Sequence, residues 1–521
     1  MRYDIIGLIA GWTLLVLTGP MAFVAVLGLA MGDAMSVVLT AFLPPILIAG
    51  GGGLALIRWG TRTDSSERIR DREAFAAVGI SWPLIVAVGA LPFWLGPTFH
   101  GPVLWTEREW VLMEVLGGYI RAWFESMSGF TTSGATVIDP MTSPLCAAGG
   151  ECIGSQPRSI ILWRSTTQWL GGMGVIMLGM LLIARALGGG MSIARAELTG
   201  PSLSRLRPRL QETARVLWGI YAGLTLIEFL VLMAVDLSWF DALNYSLTTM
   251  PSGGFGTTDA GVMGFSDWRV HVVLTFFMFL AGINFSLFHF LILREYNRFF
   301  ADQEFRVYFL ILGGAWVAFT ANLIISNGWE FWDALRHGAF QSASIGTSTG
   351  YASADFAAWP VLSQVILLFL MIVGPSAGST GGGLKVLRLR LAFALARREI
   401  ERIVQPRAIV AVRMNGEVVE DKQMWVIIGM LSWWAALAMS STVLIAILEP
   451  HLHLEDVLSI VVTALGNTGP ALGAYGPTST WASMNWVTLS VTGVLMWAGR
   501  LELLTVLVLF HPRTWRPERS S

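Results

Sequence analysis

The chain has 521 residues, of which 54% are apolar and 13% charged, with a mean hydropathy of +0.62. Soluble globular proteins carry about 25% charged residues, so a soluble domain, a disordered chain and a secreted disulfide scaffold all fit poorly. The 34 basic and 35 acidic residues give a net charge of -1, which offers no excess charge to nucleic acid and leaves a polytopic helical membrane protein as the class.

A helix needs about 20 mostly apolar residues to cross the hydrocarbon layer. Ten such stretches follow one another, near 4–31, 36–58, 74–97, 158–187, 209–236, 268–298, 304–326, 360–398, 422–448 and 484–511. The first lacks a small-residue cleavage site before a polar domain and reads as a retained span. The eighth is too long for one simple crossing and is broken by glycines. Arginines sort by loop. Arg58, Arg62, Arg68, Arg70 and Arg72 follow the second span; Arg195, Arg205, Arg207 and Arg209 follow the fourth. Arg294 and Arg298 end the sixth. Lys385, Arg388, Arg390, Arg397, Arg398, Arg402, Arg407 and Arg413 precede the ninth, and Arg513, Arg516 and Arg519 follow the tenth. Alternate loops hold few basic residues, such as Arg108 and Arg158. The positive-inside rule then places both termini in the cytoplasm. The two cysteines, Cys146 and Cys152, share one external loop. A disulfide in an oxidising periplasm and two unpaired thiols both fit that spacing.

A fourfold repeat organises the rest. After the third, fifth, seventh and ninth spans the chain runs through a short semi-apolar segment and then a Gly/Ser/Thr-rich one. These read Phe124-ESMSGFTTSGATV, Phe240-DALNYSLTTMPSGGFGTTD, Phe331-WDALRHGAFQSASIGTSTGYASAD and Leu454-EDVLSIVVTALGNTGPALG. The shared cores are Thr132-Ser133-Gly134, Ser252-Gly253-Gly254, Ser348-Thr349-Gly350 and Asn467-Thr468-Gly469. An acid opens three of the short helices, Asp241, Asp333 and Asp456, as suits a helix N-terminus. In the first repeat the matching position is Arg121, which breaks the pattern. The organisation is span, re-entrant helix, glycine loop, span, four times over, behind two extra spans. Non-helical backbone survives at membrane depth only where it is buried in protein or lines water. Four such loops around an axis can replace the water shell of a cation with carbonyl oxygens, aided by the negative C-terminal ends of the short helices. Turns and close-packing surfaces also use Gly/Ser/Thr clusters, but four clusters in register after alternate spans favour a pore.

At these residues the chain resembles the Trk/Ktr/HKT superfamily of potassium transporters, most closely in Phe124-ESMSGFTTSGATV, Gly466-NTGPALG, Ala377-GSTGGGLKVLR and Gly499-RLELLTVLVLF. The two extra N-terminal spans are similar to those of the bacterial Trk-type membrane subunit. The resemblance implies that Gly134, Gly254, Gly350 and Gly469 are filter glycines. Gly134 stands where a serine accompanies sodium selectivity in plant members, so it favours potassium. The resemblance also implies an intramembrane gate loop at Gly374-PSAGSTGGG, with Gly378, Ser379, Thr380, Gly381, Gly382 and Gly383, and a pore arginine at Arg500. It further implies a homodimer and a cytosolic ring of nucleotide-binding (NAD or ATP) regulatory subunits.

The remaining signals carry less. Gly374-Pro375-Ser376-Ala377-Gly378 spells a nucleophile elbow, but its context is helical on both sides and no general base is implied. Leu384 stands where a phosphate-binding loop needs lysine. Arg500 can form a gate charge or a local pair with Glu502. Asn284, His289 and Glu228 read as packing or hydrogen-bond partners. His451-Leu-His453 is a weak metal pattern better taken as an external loop. The basic run 385–413 is a topology signal or a docking surface. The expectation is therefore an all-α protein of the bacterial inner membrane and not an enzyme, with ten spans and four re-entrant pore loops. It divides into a two-helix segment 1–73, pore repeats 74–190, 205–300, 304–400 and 420–513, and a tail 514–521. Membrane lipid surrounds it, K⁺ is the transported ion, and no cofactor is expected. Sodium permeation, ion-coupled symport and an unrelated secondary transporter stand as alternatives.

Overall fold

Uncharged runs of Leu, Ile, Val and Ala leave the backbone to satisfy itself within each segment, and helices are the result. The computed structural model describes residues 2–61, 71–103, 105, 111–146, 150–174, 210–407 and 410–515. Six of the ten expected stretches are continuous apolar helices. They are α1 (Tyr3–Ala30), α2 (Met35–Gly60), α3 (Asp71–Gly89) with its continuation α4 (Leu91–Leu95), and, further along, helices over Leu210–Ala234, Gln303–Asn327 and Asp421–Leu448. In chain order α4 is followed by α5 (Leu112–Phe130), α6 (Arg158–Gly172), α7 (Leu210–Ala234), α8 (Trp239–Thr249), α9 (Trp268–Ala281), α10 (Phe285–Ile292), α11 (Tyr296–Ala301), α12 (Gln303–Asn327), α13 (Phe331–Gly346), α14 (Val361–Val373) and α15 (Val386–Val404). A two-stranded hairpin, β1 (Arg413–Met414) and β2 (Glu417–Val418), precedes α16 (Asp421–Leu448), α17 (Leu454–Gly466), α18 (Trp486–Arg500) and α19 (Glu502–Phe510).

The other four stretches, each the second span of a repeat, are not single helices. Residues 268–298 are one apolar run in sequence, yet α9 and α10 meet at an angle of 99°. The run 360–398 is interrupted between α14 and α15, and α18 stops at Arg500 with α19 beginning after one residue. In the fourth stretch α6 ends at Gly172; residues 175–187, with the loop arginines Arg195, Arg205, Arg207 and Arg209, lie outside the described residues. Hydropathy reports side chains and is blind to a break that costs no apolar residue. Two of these breaks satisfy each other. Ser376 N–H donates to the Gly282 carbonyl at 3.1 Å, and Phe285 N–H donates to Gly378 at 3.0 Å, so the interrupted backbones of the sixth and eighth stretches pair.

The extra helices α1 and α2 cross closely: a Cβ on Gly11 would lie 2.7 Å from the Gly53 carbonyl oxygen, the small-residue contact that membrane helices use. Large apolar side chains stay exposed on the outer helices, such as Leu47 on α2, Ile325 on α12 and Trp425 on α16, as a lipid-facing surface requires. Cys146 and Cys152 are joined as a disulfide. The basic run is partly consumed by the fold. Lys385 is buried, and Arg398 pairs with Glu399 and Asp421.

Candidate functional site

The four short helices α5, α8, α13 and α17 end alike. Each passes into a residue of left-handed conformation: Thr132 (φ 55), Ser252 (φ 59), Ser348 (φ 57) and Asn467 (φ 52). The next N–H reaches back five residues, Ser133 to Ser128, Gly253 to Thr248 and Thr349 to Ser344 at 2.8 Å, and Thr468 to Thr463 at 3.1 Å, the Schellman termination of a helix. A left-handed non-glycine residue costs about 1–2 kcal/mol, so glycine would suit these positions better on local grounds. The side chains explain the choice. Thr132 accepts from Arg500 at 3.2 Å, Ser252 bonds Thr380 at 3.0 Å, Ser348 accepts from Gly382 N–H at 2.6 Å, and Asn467 donates to Met496 O at 2.8 Å and to Ser133 at 3.0 Å.

Two residues on, the backbone is left-handed again, at Gly134 (φ 84), Gly254 (φ 82), Gly350 (φ 85) and Gly469 (φ 99). These glycines close a ring. A Cβ on Gly134 would lie 2.3 Å from the Gly253 oxygen, one on Gly254 2.1 Å from Thr349 O, one on Gly350 1.9 Å from Thr468 O and one on Gly469 2.3 Å from Ser133 O. Each loop therefore abuts the next in chain order, and the fourth returns to the first. No side chain fits at any of the four contacts.

Residues that the sequence reading did not single out hold the ring in shape. Glu125 on α5 is fully buried. It accepts from Arg164 of α6 at 2.8 Å, from Thr136 at 3.0 Å and from Val137 N–H at 3.0 Å. Arg164 also donates to Gly256 O at 3.0 Å and lies 4.1 Å from the Phe255 ring centre, so one buried ion pair ties the first loop to the second. Gln168, one turn along α6, donates to Gly253 O at 2.6 Å and accepts from Phe255 N–H at 3.2 Å. The other three short helices also anchor the chain leaving their own loops: Asp241 accepts from Thr257, His337 bonds Ser353, and Asp456 accepts from Ala474 N–H. The break in the acid pattern at Arg121 has a simple cause. The first short helix starts at Leu112 and carries Glu114 in its first turn, so its acid is displaced toward the N-terminus.

The segment from Gly374 to Gly383 packs against the ring. Thr380 bonds Ser252 and donates to Met250 O at 2.9 Å. Gly382 bonds Ser348, and a Cβ on Gly382 would lie 2.4 Å from Gly466 O. A Cβ on Gly381 would lie 2.4 Å from Thr347 O. The segment thus touches the second, third and fourth repeats. Arg500 completes the set: it donates to the Thr380 carbonyl, to Thr132, and to Gly171 O and Gly172 O at 2.7 and 2.6 Å. Its alternative pairing with Glu502 involves a side chain outside the described residues. Lys385, expected among cytoplasmic basic residues, instead lies buried and donates to Gly381 O. The Ser379 hydroxyl donates within the segment, to Ser376 O at 2.6 Å. Asn284 caps α10, His289 is exposed, and Glu228 is fully buried on α7 beside Thr249. His453 is the N-cap of α17.

The profile of the TrkH family, described as cation transport protein, matches residues 105–516. The chain belongs to the TrkH family. It is 34% identical over 458 residues to the Trk system potassium uptake protein TrkH of Halomonas elongata, covering 86% of this chain and 87% of that protein. It is 32% identical over 520 residues to the protein of the same name from Salmonella typhimurium, covering 99% and 100%. Its fold is similar to the solved structure of the potassium transporter TrkH from Vibrio parahaemolyticus, with a TM-score of 0.81 at 27% identity, covering 99% of this chain and 100% of that one. The TrkH match contains all four loops, the 374–383 segment and Arg500, and leaves α1 and α2 outside it. TrkH proteins are multi-pass membrane transporters, so the chain is not an enzyme.

Proposed function

We propose that the chain takes up K⁺ across the bacterial inner membrane through the ring of four loops. In this reading the repeats 74–190, 205–300, 304–400 and 420–513 each supply two spans and a re-entrant helix, behind the segment 1–73 and ahead of the tail 514–521. A K⁺ ion sheds water at the outer mouth and exchanges it for carbonyls around Thr132, Ser133, Gly134, Ser252, Gly253, Gly254, Ser348, Thr349, Gly350, Asn467, Thr468 and Gly469. The inside-negative potential supplies about 2.3 kcal/mol per charge per 100 mV. The segment 374–383 and Arg500 form the gate on the inner side. A fixed positive charge there raises a barrier to cations, and its hydrogen bonds hold the segment to the first loop and to α6. The arginine-rich loops support cytoplasmic termini. The names of the Trk system relatives support a K⁺ substrate and partnership with other components of that system, which we read as a homodimer on a ring of nucleotide-binding subunits.

The observation that carries this reading is the closure of the ring, with Gly134, Gly254, Gly350 and Gly469, all of left-handed backbone, each set against the next loop's carbonyl. The test is Gly134→Ser, which puts a Cβ 2.3 Å from Gly253 O. In liposomes with K⁺, Na⁺ and a pH gradient varied separately, K⁺ uptake and K⁺/Na⁺ preference should both fall. If both survive unchanged, the filter assignment is wrong.

A further inference from the structure

Three consecutive residues at the start of α12 face two ways. Glu304 is buried, and its carboxylate accepts from Ala377 N–H in the 374–383 segment at 2.6 Å. Glu304 thereby ties the start of α12 to the segment at Ala377. Its neighbours Asp302 and Gln303 turn the other way, toward the tip of the β1–β2 hairpin. Asn415 donates to Asp302 at 2.8 Å, accepts from Gln303 N–H at 3.0 Å, and its own N–H donates to the Gln303 side chain at 3.2 Å. Arg390 of α15 joins at the same Gln303 oxygen.

The hairpin tip is an Asn-Gly turn, with φ of 46 at Asn415 and 85 at Gly416, the geometry that suits a two-residue hairpin. Its outer side is free to be touched, since Arg413 is exposed and Val418 is 58% exposed. A second connection runs in parallel. Ala377 shares one apolar cluster with Val412 at the base of the hairpin, with Leu387 and Leu391 of α15, and with Met424 of α16. Polar and apolar contacts thus join the same two objects, a surface hairpin and the segment under the ring.

From this geometry we infer that Asn415, Asp302, Gln303 and Glu304 form a latch that holds the gate segment in its blocking position, and that the hairpin is its handle. The inference rests on the gating role proposed above. A partner that displaces the hairpin on the inner face removes Asn415 from the end of α12, loosens Glu304, and frees Ala377. Glu304 is a positioning residue that acts through the segment it holds at Ala377. The handle makes the basic region before α16 a point of mechanical input, beyond its part in topology.

The test is K⁺ flux into liposomes containing the full chain alone. Glu304→Ala should raise basal flux about tenfold, the factor that one net hydrogen bond of ~1.4 kcal/mol carries. Asn415→Gly keeps the turn, because glycine accepts its φ, and removes only the side-chain ties, so it remains informative if Glu304→Ala fails to fold. It should raise flux in the same direction, and the double variant should exceed the larger single effect by little, because both act on one latch. Deletion of residues 376–382 serves as the reference. If the deletion raises flux while Asn415→Gly and Glu304→Ala match the parent, the latch is refuted and the gate stands. If the deletion itself leaves flux unchanged, the gating role fails and the latch with it.

Discussion

Replacing Arg164 by methionine tests how the ring is kept in shape. The guanidinium and the Glu125 carboxylate are 1% and 0% exposed and lie 2.8 Å apart. Removing one partner of a buried pair costs about 3–5 kcal/mol, because the other charge is left uncompensated. Here Glu125 would keep the Thr136 hydroxyl and the Val137 N–H, which moves the expected loss to the lower end, about 3 kcal/mol. The second loop suffers separately, since Gly256 O loses its donor and Phe255 its cation. The double variant Glu125→Gln, Arg164→Met removes both charges and should recover most of the stability, leaving a coupling between the sites. The assay pairs thermal melting of the purified protein in detergent with K⁺ and Na⁺ permeation in liposomes. Arg164→Met should melt several degrees lower and lose K⁺/Na⁺ preference, and the double variant should regain melting but only part of the preference. A melting point within a degree of the parent, with preference unaltered, would refute the claim that this pair sets the relation of the first two loops.

Deleting residues 376–382 should raise K⁺ flux severalfold at normal expression, and an unaltered or lower rate would count against a gate in that segment. Arg500→Ala removes a positive charge and its hydrogen bonds to Thr380 O, Thr132, Gly171 O and Gly172 O. Flux should rise by about one order of magnitude if the differential loss is near 1.4 kcal/mol, and a single-channel or liposome flux equal to the parent would contradict it. Gln168→Leu strips a donor from Gly253 O and an acceptor from Phe255 N–H. The expected result is a lower K⁺/Na⁺ permeability ratio with total flux little changed, measured by reversal potential.

Much of the site is legible along the chain because it is built four times. Each loop is set by its own residues: a short helix, a small polar residue that ends it, and a glycine two positions on. Repetition raises such a signal above the noise of ordinary turns, and it is why the glycines at 134, 254, 350 and 469 could be picked out. The supports are different. Glu125, Arg164 and Gln168 sit at unremarkable positions in apolar helices, and their meaning comes from partners 39 and 85 residues away in sequence for the Arg164–Glu125 and Gln168–Gly253 bonds. Lys385 falls in a basic run because charge patterning counts a lysine alike whether it is solvated or, as here, turned inward onto Gly381. Glu114 lies outside the spacing shared by the other three because the first short helix is longer than its siblings, and a fixed spacing rule misses a shifted start.

Class, helical content, the repeat and the identity of the ring residues follow from sequence alone, because hydrogen bonding in lipid is met within each segment and the turn chemistry is local. The tertiary structure decided what no local rule contains. It set the order in which the four loops meet, the break of the sixth stretch against the 374–383 segment, the reach of Arg500 to two repeats, and the tie from a surface hairpin to Ala377 through Glu304. Those are contacts between segments distant along the chain, and their energies depend on backbone breaks and buried partners that hydropathy and spacing do not record.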